Sequence, residues 1–146
     1  MEYKIKTFEE LNTSELYSIL RLRSEIFVVE QNCVYQDLDN KDLSAYHLMA
    51  IDNNETVAYL RILPKGVSYK EISIGRFVVK KDYRRKNLGL ELLNKALIFI
   101  EEDLKEKEVR ISAQVYVKEL YKKAGFIEAS EEYLEDDIPH VEMLYK

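Results

Sequence analysis

Tyr83-Arg84-Arg85-Lys86-Asn87-Leu88-Gly89-Leu90 decides how this chain is read. Ahead of it, Ile74 to Val79 form an apolar run with the composition of a buried strand. Behind it, Leu88, Leu92, Leu93, Ala96, Leu97 and Ile100 recur at helical spacing. A strand therefore hands over to a long helix through a turn that carries three cations. The first turn of a helix leaves its N–H groups unpaired, and these groups together with the macrodipole attract anions. Arg84, Arg85 and Lys86 add full charges there, and Asn87 and Gly89 are residue types that tolerate unusual backbone in such a cradle. A phosphate-bearing ligand fits this turn. The same features in a plain basic helix start would serve no ligand.

Working outward, the strand before the turn is predicted over 71–79 and the helix over 87–104. Downstream follow a strand at 109–115 and a short helix at 118–124 closed by Gly125. Two strands come last, at 126–134 and 141–145, joined through Asp136-Asp137-Ile138-Pro139-His140. Upstream, strands at 56–63 and 47–52 flank an Asp52-Asn53-Asn54-Glu55 turn. Residues 30–45 are polar and read as a loop with a short helical turn. Residues 13–28 read as a helix, with Asn12 and Glu15 forming a capping box. Alternation of Tyr3, Ile5 and Thr7 with charged residues marks a first strand over 2–8. The order β-α-β-β-β-α-β-α-β-β is α+β, a mixed α/β sheet with helices on its faces. Its one right-handed parallel crossover joins the fourth and fifth predicted strands through the long helix.

With 146 residues and no Pro/Gly/Ser linker, one domain over 1–146 is expected. No apolar run reaches the length of a membrane span and the N-terminal stretch has no apolar signal core, so a cytoplasmic protein is expected. A net charge of −5 argues against a general nucleic-acid or anionic-membrane binder, which makes the basic turn local and specific. The single cysteine, Cys33, excludes an intramolecular disulfide and a cysteine-cluster metal site, and no metal is expected. Asp37, Asp39 and Asp42 lack the glycine and glutamate of a calcium loop. The acidic run Glu128 to Asp137 is either a solvated hairpin face or a field that draws a cationic acceptor.

Arg84 to Gly89 resembles the R-x-x-G-x-G pyrophosphate motif of the GNAT acetyltransferases, with Asn87 in place of its first glycine. Leu20 to Asp39, Ile74-Gly75-Arg76-Phe77-Val78-Val79, Ala113-Gln114, Leu120 to Phe126 and Glu135 to His140 are similar to the ElaA-like branch of that family, except that Asp137 stands where the branch usually has glycine. The resemblance implies a central mixed, mostly antiparallel twisted sheet of about seven strands with helices on both faces. It also implies a splay between the fourth and fifth strands that holds acetyl-CoA as cosubstrate. It places the cofactor on Phe77, Val78, Val79, Arg84, Arg85, Lys86, Asn87, Leu88, Gly89 and Gln114. Gly75 in the same strand fits a bulge or a close backbone approach.

The resemblance further implies direct transfer of an acetyl group to a small-molecule or peptide amine. A β-strand N–H would stabilise the oxyanion, and Tyr121 would act as general acid toward the departing thiolate. Glu30, His47, Glu135 and His140 are candidate bases; Glu30 and His140 lie in the two loops that border the acceptor pocket in this family, whereas His47 reads as structural. Arg23 and Arg76 either bind an acceptor carboxylate or, the preferred reading, pair with acidic residues. Nothing beside Cys33 would activate it as a nucleophile, so a covalent acetyl-cysteine is not expected. Two other readings stay open: a non-catalytic acyl-CoA-binding regulatory module, and an interaction protein that docks a partner on the basic turn. Exposed strand edges make a homodimer possible.

Overall fold

Asn12 closes the first helix start as its sequence predicts: its side chain accepts from Glu15 N at 2.8 Å while Glu15 Oε1 accepts from Asn12 N at 3.0 Å, a cap worth about 1 kcal/mol. The computed structural model describes all residues, Met1–Lys146. β1 (Glu2–Thr7) leads into α1 (Thr13–Arg23), which runs on without a break into a π-helical segment, Ser24–Glu30. The predicted helix over 13–28 is thus longer, and its last third is wider-wound. A single 3-10 turn, Lys41–Ser44, breaks the polar stretch before β2 (Tyr46–Asp52) and β3 (Glu55–Leu63). These two strands meet at Asn53 and Asn54, both left-handed (φ 51° and 61°), the geometry of a tight hairpin.

β4 (Ser73–Val79), α2 (Leu88–Glu102) and β5 (Val109–Gln114) follow, then α3 (Lys118–Ala124), closed by Gly125 at φ 111°. The predicted strand over 126–134 is two short ones, β6 (Ile127–Glu128) and β7 (Tyr133–Glu135). The predicted connection through 136–140 is tighter than expected. Asp136 and Asp137 alone make the turn, at φ 52° and 61°, and Ile138-Pro139-His140 already belong to β8 (Ile138–Tyr145). At position 137 an aspartate adopts the left-handed backbone for which a glycine would be the easier residue.

The strands form two four-stranded halves rather than one sheet of about seven. One half has the order β1-β2-β3-β4, all antiparallel; in the other, β5 pairs with one edge of β8 while β6 and β7 share its other edge. Their ladders join through one parallel bridge, Ile72 to Val109, where Arg110 N donates to Ile72 O at 2.9 Å. Beyond that bridge β4 and β5 diverge, which is the expected splay.

Alternation along β2 and β3 explains why helices cover both faces. Leu48, Ala50, Ala58, Leu60 and Ile62 point to the side of α2, where Leu92, Leu93, Ala96 and Ile100 bury their side chains, each burial worth roughly 1.5–3 kcal/mol for the large apolar ones. Met49 and Tyr59 point the other way, against Ile19, Leu22, Ile26 and Phe27 of α1 and its π-helical extension. No helix is long and apolar enough to cross a membrane.

Candidate active site

The divergence of β4 from β5 opens a cavity of about 830 Å³ that reaches from the start of α2 to the loop around Gln31–Lys41. Its floor follows from the pleat. Lys80 N donates to Val57 O at 2.8 Å, so residues 78 and 80 carry the rungs to β3. The backbone groups of Phe77 and Val79 therefore point to the opposite edge, into the splay. Val78 differs from its two neighbours. Its backbone is turned to β3 and its side chain is buried against α1, so it lines the cavity without an amide to offer there. Val79 O accepts from Arg84 Nε at 2.9 Å, which leaves the Val79 N–H as that residue's free group.

β4 also carries an irregularity. Tyr59 faces Val78 and Arg61 faces Gly75, so Leu60 alone stands against Arg76 and Phe77. This is a bulge of two residues against one. It falls on Arg76, which is left-handed at φ 49°, and not on Gly75, whose backbone is ordinary. Of the two readings that Gly75 offered, the bulge stands one residue further on, at Arg76.

At the helix start, Arg85 and Asn87 both adopt left-handed backbone, φ 63° and 60°. Asn87 is the N-cap of α2, yet its side chain makes no capping hydrogen bond, so the first-turn N–H groups stay available. Gly89 has helical backbone; its glycine character matters for space. A Cβ there would meet Phe77 Cζ and Leu120 Cδ2 at 3.4 Å and Val79 Cγ2 at 3.6 Å. Arg84 pairs with Glu30 Oε2 at 2.8 Å through Nη1. Lys86 sits 5.9 Å over the Tyr83 ring, and the Tyr83 hydroxyl donates to Asp52 Oδ2 at 2.6 Å.

Across the splay, Tyr121 of α3 is buried edge-on between Phe77 (5.9 Å) and Phe126 (5.5 Å). Burial pushes its hydroxyl pKa upward, which keeps the phenol protonated. Gln114 ends β5 and accepts from Gln31 Nε2 at 3.3 Å, tying the loop after α1 to the cavity wall. His140 lies one strand over. Its Nδ1 is 2.6 Å from Ile138 O, which can only accept, so Nδ1 carries the proton and Nε2 of the neutral ring keeps its lone pair. Nε2 lies 3.6 Å from Glu135 Oε2. The ring stacks on Tyr133, whose hydroxyl is hydrogen-bonded to Ser112 Oγ.

The far wall is ionic. Arg23 is 1% exposed and holds Asp37 Oδ2 and Asp42 Oδ1, each at 2.8 Å. Arg61 takes Asp39 bidentately at 2.6 and 2.8 Å and shares Asp42 at 3.0 Å. Arg76 Nε lies 2.8 Å from Asp37 Oδ1, and its Nη2 donates to Asp37 O at 2.9 Å. Three guanidinium groups and three carboxylates balance one another, which such burial demands. Although burial opposes it, pairing with Arg61 and Arg76 holds the Asp39 carboxyl well below the usual range. Arg23 and Arg76 thus pair as preferred from the sequence. His47 is structural: Nδ1 meets Tyr59 OH at 2.6 Å and Nε2 meets Asp42 O at 2.9 Å.

Of the residues expected at the site, Phe77, Val78, Val79, Arg84, Arg85, Asn87, Leu88, Gly89, Gln114, Tyr121 and His140 line this one cavity; Lys86 and Glu30 do not. Arg61, Ser112 and Tyr133 were missed. A lone charge inside the apolar run Val57 to Leu63 was the available signal for Arg61.

The family profile described as an acetyltransferase (GNAT) domain matches residues 17–146. Protein ElaA of Escherichia coli K12 is 39% identical over 145 residues, covering 98% of this chain and 95% of that protein. A UPF0039 protein of Schizosaccharomyces pombe is 41% identical over the same shares of each chain. Among solved structures, Escherichia coli ElaA superposes with a TM-score of 0.93 at 38% identity over the whole of both chains. An acyl-CoA N-acyltransferase from Pseudomonas aeruginosa does so at 0.93 and 39% over 99% of each. A more distant likeness, an aminoglycoside 6'-N-acetyltransferase complexed with coenzyme A, has a TM-score of 0.71 at 15% identity over 97% of this chain and 95% of that one, and shares the fold. Splay, helix-start turn and full-length kinship agree: this chain belongs to the GNAT acetyltransferases, in their ElaA-like branch.

Proposed function

We propose that the chain is an acetyl-CoA-dependent N-acetyltransferase that works by direct attack, in a single domain over 1–146 in the cytoplasm. One observation carries the reading. The uncapped start of α2, with Arg85 and Asn87 in left-handed backbone, opens on the same cavity as the free edge of β4. A diphosphate on the helix-start amides leaves an extended pantetheine arm to run along Phe77 and Val79 as an added strand. The thioester then falls between the bulge and Tyr121.

In this mechanism an amine, small molecule or peptide, enters between the Gln31–Lys41 loop and the β7–β8 turn. His140 Nε2 takes one proton from its ammonium group and frees the nitrogen lone pair. The amine nitrogen attacks the thioester carbonyl, and the Phe77 N–H donates to the oxyanion, a service worth about 3–4 kcal/mol in comparable sites. The C–S bond breaks as the Tyr121 hydroxyl gives its proton to the coenzyme A thiolate. The nitrogen's second proton, acidic in the tetrahedral intermediate, passes through solvent to the Tyr121 phenolate, and the His140 proton returns to solvent.

Calorimetry with acetyl-CoA tests the first half of this scheme, with micromolar binding expected. Gly89→Glu places a carboxylate among Phe77, Leu120 and Val79 beside the diphosphate. At about 5 Å and an effective dielectric constant of about 20, one pair of like charges costs about 3 kcal/mol, so binding should weaken by roughly two orders of magnitude. Absence of heat with the unaltered protein refutes the reading. Binding without thiol release across a panel of primary amines refutes the enzyme and leaves the acyl-CoA-binding module.

A further inference from the structure

We infer that Arg76 is a positioning residue whose side chain, clamped by Asp37 and Asp39, holds the β4 bulge in the backbone conformation that aims the Phe77 N–H into the splay. This rests on the reading above, in which that N–H receives the thioester oxygen. An arginine at φ 49° is an uncommon and unfavourable choice, and the neighbouring Gly75 would take such backbone freely. What distinguishes Arg76 is its side chain. Nη2 donates to Asp37 O at 2.9 Å and to Asp39 Oδ2 at 3.4 Å, Nε lies 2.8 Å from Asp37 Oδ1 as an ion pair without hydrogen-bond alignment, and the guanidinium lies 6.0 Å over the Tyr35 ring. Both aspartates are in turn fixed from below, Asp37 by Arg23 and Asp39 by Arg61. A rigid ionic base on the α1 face of the sheet therefore pulls on one residue of β4, and the next residue's amide takes its direction from that pull. The clamp also links the two substrates, because Asp37 and Asp39 belong to the same loop that walls the acceptor end of the cavity.

The variants are Arg76→Ala and Arg76→Gly. Either leaves Asp37 with Arg23 and Asp39 with Arg61, so no buried carboxylate loses its last partner. Glycine adopts positive φ without strain and restores the backbone without the clamp. The first readout is the Phe77 amide resonance, compared between complexes with acetyl-CoA and with coenzyme A. The second is steady-state thiol release from acetyl-CoA with putrescine and L-lysine amide as probe amines. In the Ala variant the acetyl-dependent shift of Phe77 should collapse and kcat should fall about tenfold, with KM for acetyl-CoA within about twofold. The Gly variant should recover most of both. An Ala variant whose Phe77 shift and kcat match the unaltered protein overturns the proposal. Equal losses in Ala and Gly with a raised KM for the amine also overturn it, since Arg76 would then touch the acceptor. Should the unaltered protein release no thiol, the proposed reaction fails, while the Phe77 shifts still decide the positioning role.

Discussion

Glu30→Gln should tighten acetyl-CoA binding. Arg84 is the leading arginine of the turn, and its guanidinium is held at both ends, by Glu30 Oε2 at 2.8 Å and by Val79 O at 2.9 Å. Its side chain is 36% exposed and that of Glu30 39%, so their attraction is strongly screened and worth about 0.2–1 kcal/mol. A diphosphate must compete with this contact for Arg84. It must also approach the Glu30 carboxylate. Replacing that carboxylate by an amide of the same shape removes both penalties, which have the same sign. Loss of the contact alone gives a gain of about 0.2–1 kcal/mol, up to about fivefold in affinity, and the removed like-charge approach adds to it. Calorimetry at about 20 mM and about 300 mM salt separates the electrostatic part, because the gain should shrink as the Debye length shortens. An unchanged or weakened affinity at low salt refutes the competition. The same variant examines Glu30 as a base: kcat should stay within about twofold, and a loss of about a hundredfold would return the base role to Glu30 and remove it from His140.

Tyr121→Phe keeps the ring packed against Phe77 and Phe126, so acetyl-CoA affinity should hold while kcat falls by about a hundredfold; equal turnover by the two proteins refutes the general-acid role. Burial pushes the His47 pKa below 6.5, so the unfolded chain takes up this proton first on acidification. Its contribution to stability is complete above about pH 6.5 and is lost as pH falls through the lower folded value. Urea midpoints should therefore drop between about pH 7 and about pH 5, and His47→Gln should flatten that segment; an equally steep profile in the variant refutes the assignment.

Most of the fold is legible because its signals are local. Asn53-Asn54 fixes a hairpin, Asn12 with Glu15 starts a helix, Gly125 ends one, and the apolar stripe of α2 has a clean period. The helix-start turn is legible for the same reason, since residues 84–89 act through their own backbone. What escaped the sequence depends on partners far along the chain. The bulge at Arg76 belongs to the register of the whole β3–β4 pair, and the partner of its side chain, Asp37, lies thirty-nine positions away. The π-helical winding of Ser24–Glu30 depends on what Ile26 and Phe27 pack against across β2, β3 and β4. Arg61 stands out in the sequence as a lone charge in an apolar run, but its partners Asp39 and Asp42 show only in the folded molecule. Glu30 could be read as a base from its place in the chain, but its direction toward Arg84 is a fact of the folded molecule.

The lone β-bridge between the two ladders, Ile72 to Val109, makes the sheet a clasp with one stitch. Each half has its own ladder; one apolar core runs beneath both, and a single backbone rung joins the ladders. An extended arm laid along the bare side of β4 would add the missing stitches. Where most ligands only occupy a protein, this one would finish it, and the cosubstrate would be as much a part of the architecture as of the reaction.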